Sequence, residues 1–197
     1  MPLIRECVVT TLTADGRPHI APLGLIEADG QWIVAPFRPS ATLDNLSATP
    51  KATASFTDDA LVFAKLVTGD RAFPLADIAD WPAPRLAGAL AHAELEVTRI
   101  EADDVRPRFF CVVKRTQTHL PFLGMNRARA AVLEAAILVT RLGRLPREKI
   151  ESEIAYLKIA IDKTAGNAEL EAWEIVMAKI GAHLSSTDDH AQNRSRS

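Results

Sequence analysis

Cysteine is nearly missing from this chain. Cys7 and Cys111 are the only two in 197 residues, far apart and without a C-x-x-C pair. That excludes a disulfide framework and argues against a zinc site built on thiolates. Two reduced, buried thiols are expected instead. A surplus of one charge sign is missing too: 23 Lys and Arg face 25 Asp and Glu, a formal net charge of −2. Nucleic-acid binding normally shows as a basic excess, so no nucleic-acid partner is expected. No apolar run nears the ~18–20 residues needed to span a bilayer, and Glu134 interrupts the most apolar stretch. The first residues lack the basic stretch followed by an apolar run that marks a secretory signal. A soluble, cytoplasmic protein is expected.

Common catalytic motifs are absent as well. There is no G-x-G-x-x-G and no G-x-x-x-x-G-K-[ST], so neither a Rossmann nor a P-loop nucleotide site is indicated. There is no H-E-x-x-H and no G-x-S-x-G. The five histidines (His19, His92, His119, His183, His190) show no metal-ligand spacing, and no metal is expected.

What is present is ordinary globular composition, 48% apolar and 24% charged, enough to bury a sizeable core. Residues 4–13 suit a strand, Asp15-Gly16 a turn, and residues 18–27 a second strand. Asp29-Gly30 marks another turn before a short strand over 31–35. Residues 36–50 change character and hold a short helix ending near Leu46. Residues 52–57 alternate as a strand does, and Asp58-Asp59 opens a helix that ends at Gly69. The proline-bearing residues 70–88 read as a loop or cover. Residues 90–100 and 109–119 supply the last strands, six in all, which argues a small closed barrel. The last third is helical: 126–142, then a helix from Pro146 with Ile150, Ile154, Leu157 and Ile161 in one stripe. A third helix is capped by Asn167 and lined by Leu170, Trp173, Met177 and Ile180. The expected fold class is mostly β with appended helices (α+β), a small barrel over 1–120, which the resemblance given below makes a split β-barrel, and a helical sub-domain over 121–184. Residues 185–197 are polar and expected to be a disordered tail.

Four stretches carry possible chemistry. In 36-PFRPSATLDNL-46, Arg38, Ser40 and Thr42 precede a short helix. A helix N-terminus, a guanidinium fork and two hydroxyls together suit a phosphate dianion. A plain N-cap at Ser40 beside a surface cation explains the same residues. In 17-RPHIAPLG-24, Pro18 and Pro22 each remove a ladder donor. Such a strand either lies at a protected edge or turns its backbone toward something flat with donors and acceptors on its rim. In 57-TDDALVF-63, helix capping explains Asp58 and Asp59 better than an acid/base dyad. In 124-GMNRARAAVLEAAILVTR-141, Arg127 or Arg129 either meets an anion or forms part of a solvated, ion-paired face.

The order 17-RPHIAPLG-24, 38-RPSATLDNL-46, 52-ATASFTDDALVFA-64 resembles the FMN-binding split-barrel superfamily, which includes flavin reductases and pyridoxamine-phosphate oxidases. Within it the chain resembles a small family of unknown function with a helical tail like 126-NRARAAVLEAAILVTR-141. The resemblance implies a homodimer with FMN at the interface. Backbone groups around His19, Ala21, Pro22 and Leu23 would border the flavin ring. Arg38, Ser40, Thr42 and Asn45 would take the phosphate and ribityl chain, with Thr57 at the end of the neighbouring strand. Asn126 and Arg127 would approach from the helical region. The further basic phosphate ligands of the oxidases have no match here, so that activity is not implied.

The flavin itself would carry the redox chemistry. The first functional expectation is therefore an FMN-dependent oxidoreductase passing a hydride from NAD(P)H, or another carrier, to a small acceptor such as a pterin-type C1 carrier. The other is a non-catalytic flavin-binding or dimeric interaction module. A hydrolase using His19 and Asp58 has no supporting spacing, and no catalytic residue is assigned.

Overall fold

The computed structural model describes residues 2–28 and 30–194, with side chains as far as Ser186. Asp29 of the expected second turn lies outside the described residues, whereas Gly30 has φ +73°, as a tight turn requires.

The chain forms two compact units: Met1–Asp58 with Ala72–Phe122, and Asp59–Arg71 with Leu123–Ser197. In the first, β1 (Leu3–Leu12), β2 (Pro18–Ala28), β3 (Gln31–Val34), β4 (Lys51–Phe56), β7 (Ala91–Glu101) and β8 (Arg108–Thr118) close a barrel in the order β1-β2-β3-β8-β7-β4. Each pair in the ring is antiparallel. Period-two alternation sorts the side chains. Cys7 and Val9 of β1, Leu25 of β2, Val34 of β3, Ala52 and Ala54 of β4, Ala93 and Leu95 of β7, and Phe109 and Cys111 of β8 fill the interior. The alanines of β4 and β7 keep a six-stranded interior narrow enough to fill. Helix α1 (Ala41–Ala48) adds Leu43 and Leu46 to the same core. Burying each is worth roughly 1.5–3 kcal/mol.

The stretch 70–88, expected as a loop, holds a hairpin of β5 (Leu75–Ile78) and β6 (Trp81–Leu86). Its prolines hid it. Pro82 and Pro84 lie in β6, an edge position that tolerates a missing donor. β6 packs over β1 and β4. There the Thr53 hydroxyl donates to the Ala83 carbonyl at 2.6 Å, and the Leu86 N–H donates to Ser55 Oγ at 3.0 Å.

The second unit holds α2 (Ala60–Thr68), α3 (Arg127–Val139), α4 (Arg147–Thr164) and α5 (Asn167–Arg194). α2 is apolar nearly all round, so it lies buried against α3 and α5 and joins the helices despite its place inside the first 120 residues. Asp59 caps it by accepting from the Leu61 N–H at 3.0 Å, and Gly69 ends it at φ +107°. On α4, Ile150, Leu157 and Ile161 of the expected stripe are buried, while Ile154 is half-buried. α5 begins at Asn167, so Gly166 precedes it rather than Asn167 capping it. Glu169 reaches back to accept from the Gly166 N–H at 3.0 Å. Ala172, Trp173, Val176 and Ile180 are its buried face. Leu170, expected there, is exposed. α5 runs to Arg194, into the stretch expected to be disordered, because no Gly or Pro after Gly181 breaks it. Residues 195–197 lie outside the described residues.

Candidate functional site

One end of the barrel collects most of the residues singled out by the sequence. The registers place the end of β1, the starts of β2, β4 and β8 and the end of β7 at that rim. α1 lies there because it connects β3 to the start of β4 and packs on β1 and β2.

His19 is half-buried and stands opposite Thr11 in the β1–β2 ladder. Ala21 and Leu23 stand opposite Val9 and Cys7, so their side chains share the core-facing row. Pro22 stands opposite Val8 on the outer row. What this stretch can show a ligand is therefore mainly backbone. β2 pairs with β1 from Pro18 onward, but with β3 only from Ile26. Over Ala21–Leu25, a single side of β2 carries a strand. The prolines thus sit where the barrel wall is split.

Arg38 is exposed in the loop before α1. Its N–H donates to the Val105 carbonyl at 2.9 Å, and its Nε donates to the Asp103 carbonyl at 3.1 Å. These two bonds fix the loop to the β7–β8 connection. No described hydrogen bond takes the Nη groups. Ser40 caps α1: its Oγ accepts from the Leu43 N–H at 3.3 Å. Leu43 and Asp44 also donate to the Ser40 carbonyl. The N–H groups of Ala41 and Thr42 then remain at the positive end of the helix. Thr42 is buried. Asn45 is also buried, and its Nδ2 donates to Thr11 Oγ1 at 2.9 Å, tethering α1 to β1. That contact crosses 34 positions of sequence, so no local pattern marks Thr11 as part of the site.

Two more residues were missed. Asp103 Oδ1 accepts from the N–H groups of Val105 and Arg106 at 2.8 and 2.6 Å. Those bonds hold its carboxyl below the usual range. Arg106 donates from Nε to the Ala35 carbonyl at 2.7 Å and lies over the exposed Phe37 ring, 4.8 Å from its centre. The D-x-x-R spacing in 103-DDVR-106 is the signal that would have flagged this turn. The rim therefore presents two guanidinium groups, a capped helix N-terminus and a hydroxyl, a donor set that matches a phosphate dianion.

Thr57 follows the other end of β4, whose Phe56 pairs with Ala91 at the start of β7. It is at the end of that strand, as expected, but not at the α1 rim. Asn126 and Arg127 belong to the helical unit. Asn126 caps α3: its Oδ1 accepts from the Arg129 N–H at 3.0 Å and its Nδ2 donates to the Thr164 carbonyl at 3.1 Å. Arg127 lines an open, mainly apolar groove of about 380 Å³ between α3 and α4, with Glu134 and Tyr156. Among the described residues no His, Cys, Asp and Glu cluster could hold a metal ion. No described helix is long and apolar enough to cross a membrane.

The fold is shared with solved structures. An FMN-bound protein of Methanosarcina mazei superposes with a TM-score of 0.76 at 22% identity, over 89% of this chain and 94% of that one. An NADH:FAD oxidoreductase of Streptomyces globisporus gives a TM-score of 0.51 at 18% identity, over 60% of this chain and 77% of that one. The flavin reductase component of a bacterial two-component tryptophan halogenase gives 0.50 at 19%, over 60% and 82%. No curated protein matches. The N-terminal domain of the protein family of unknown function DUF447 matches residues 5–119 and its C-terminal domain residues 126–178, so the chain belongs to that family.

Proposed function

We propose that this protein binds FMN at the α1 rim of the barrel, as a homodimer, and works as a flavin-dependent oxidoreductase on a small acceptor. The observation that carries this reading is convergence. Arg38, Ser40 and the start of α1 stand on the same rim as the stretch of β2 that lacks a second strand neighbour. A phosphate clamp and a slot for a flat ring need both. The fold supports it, since the solved relatives include an FMN-bound family member and two flavin oxidoreductases.

Arg38 and the N–H groups of Ala41 and Thr42 would hold the phosphate, and Ser40 would add its hydroxyl proton. The backbone of Ala21–Leu25 would meet the rim of the ring. When bound, FMN supplies the hydride chemistry. Asn45 serves at one remove, because its bond to Thr11 fixes the angle at which α1 meets β1. NAD(P)H is the proposed donor and a pterin-type C1 carrier the proposed acceptor.

The test is the visible spectrum of the purified protein through gel filtration, then with FMN and NAD(P)H added anaerobically. Flavin bands that co-elute at dimer size and bleach with NAD(P)H are expected. Arg38→Ala should weaken FMN binding about tenfold or more, the loss of one charge-assisted phosphate contact. A wild-type protein that takes up no FMN overturns the reading. Bands that survive every donor leave a flavin-binding module without this catalysis.

A further inference from the structure

The outer wall of the barrel under the β5–β6 hairpin holds a buried chain of titratable groups. His92 and Glu94 alternate with the core residues Ala93 and Leu95 of β7, and so point outward. Both are nonetheless buried, at 1% and 4% exposure. His92 Nδ1 lies 2.7 Å from Nε2 of His119, which follows β8. The two rings are within 8° of parallel, with centres 5.0 Å apart. A short nitrogen–nitrogen contact in such rings is an end-to-end N–H···N bond, not a face-to-face stack. On the far side, His92 Nε2 stands 3.5 Å from Glu94 Oε1, and among the described residues no hydrogen bond reaches it.

These contacts fix the tautomers. A bare lone pair on His92 Nε2 facing the Glu94 carboxylate would be repelled, so the proton of His92 belongs on Nε2. His92 Nδ1 is then an acceptor, and His119 must donate to it from Nε2. That leaves Nδ1 of His119, a half-buried residue, as the outer lone pair of the chain. No described hydrogen bond occupies it.

We propose that Glu94, His92 and His119 form an acid–base site on the barrel, in which Nδ1 of His119 takes and returns a proton while His92 and Glu94 position it. When a weak acid gives its proton to Nδ1, one N–H bond forms and one O–H, N–H or S–H bond breaks. The positive charge stays on His119, whose Nε2–H remains bonded to His92. Glu94 stabilises that cation through His92 without taking a proton itself.

The surroundings set what the site accepts. Arg115 of β8 donates to Glu94 Oε1 at 2.6 Å and to the Ala79 carbonyl at 2.8 Å, so it pairs with the carboxylate and ties down the hairpin tip. Arg85 of β6 bonds the Leu86 and Ala87 carbonyls and acts on both imidazoles. Ser55 of β4 and Gln117 of β8 stand opposite His92 and carry no charge. Burial first, with Arg85 adding to it, holds both histidines below their ordinary pKa, so both rings are neutral at neutral pH. A neutral base beside a fixed cation suits a proton donor whose conjugate base is an anion, such as an enol, a phenol or a thiol.

The test is nitrogen NMR of the imidazoles against pH, on the full chain. In the wild type, both His92 and His119 should be Nε2–H tautomers, and Nδ1 of His119 should be the nitrogen that titrates. Glu94→Gln should lower the His119 midpoint by about half a unit or more, and Arg85→Gln should raise it. A His92 found protonated on Nδ1 overturns the proposal from the wild-type spectrum alone, whether or not the variants fold. So does a His119 midpoint that ignores both substitutions.

Discussion

Cys7 and Cys111 sit fully buried on facing parts of the barrel interior, and burial pushes both thiols up to about 12. They should be inert to a disulfide reagent in the native protein at neutral pH and should both react once it is unfolded in guanidinium. Fast labelling of either in the folded state would show that the barrel opens locally. At the same scale, Asn45 tethers α1 to the barrel. Its side chain resembles a ribityl ligand by position, yet the buried amide is spent on Thr11. Asn45→Ala strips a buried hydroxyl of its partner and should cost about 1–3 kcal/mol in a urea titration. An unchanged midpoint would mean the tether contributes nothing to the fold. Ser40 carried two readings, and the cap is present. A cap spends the oxygen lone pair and leaves the hydroxyl proton free, so the two readings do not compete.

Among the elements, the termini of helices were the most legible. Asp59 and Gly69 bracket α2, and Asn126 opens α3. Each is a local device, complete within a few residues of sequence. Asn126→Ala removes both the cap to Arg129 and the bond to the Thr164 carbonyl of α4, and should cost about 1–2 kcal/mol. Thermal melting followed by circular dichroism at a helix wavelength would read it. Asn126→Asp, which keeps the cap and loses the amide donor, should fall between the two. The hairpin β5–β6 was illegible because proline argues against a strand, and its register depends on partners in β4 some 30 positions earlier. Thr53 and Ser55 look like ordinary polar residues of an alternating strand. Only the chain folded over them makes them anchors.

For the molecule, pH should act on stability through His92 and His119. Both titrate below the ordinary 6.5 when folded, whereas the unfolded chain binds protons at about that value. Below it the unfolded state holds more protons, so stability falls as the pH drops through the window and levels off below the folded values. Urea midpoints taken from about pH 7.5 down to about pH 5 should decline, and a His92→Gln, His119→Asn pair should flatten the decline. A wild-type midpoint that rises toward pH 5 would contradict the assignment. The Glu169 carboxyl acts further down. The Arg129 side chain, then the Gly166 N–H, hold it below the usual range, so its contribution is present above about 4.3 and fades only in stronger acid.

By itself, the sequence determined what short-range chemistry can determine: six barrel strands with their turns, the caps at Ser40 and Asp59, most of the α4 stripe, and the resemblance carried by 17-RPHIAPLG-24 and 38-RPSATLDNL-46. Alternation, capping and turn preference act between residues a few positions apart. The tertiary structure decided which of those residues meet. It set the split between β2 and β3, the bond from Asn45 to Thr11, the hairpin over β4, and the pairing of His92 with His119 across 27 positions. It placed α2 with the C-terminal helices and Thr57 away from the α1 rim. The reason is physical. Barrel registers are fixed by closing six strands around one core, a condition on the whole ring that no single stretch of sequence carries.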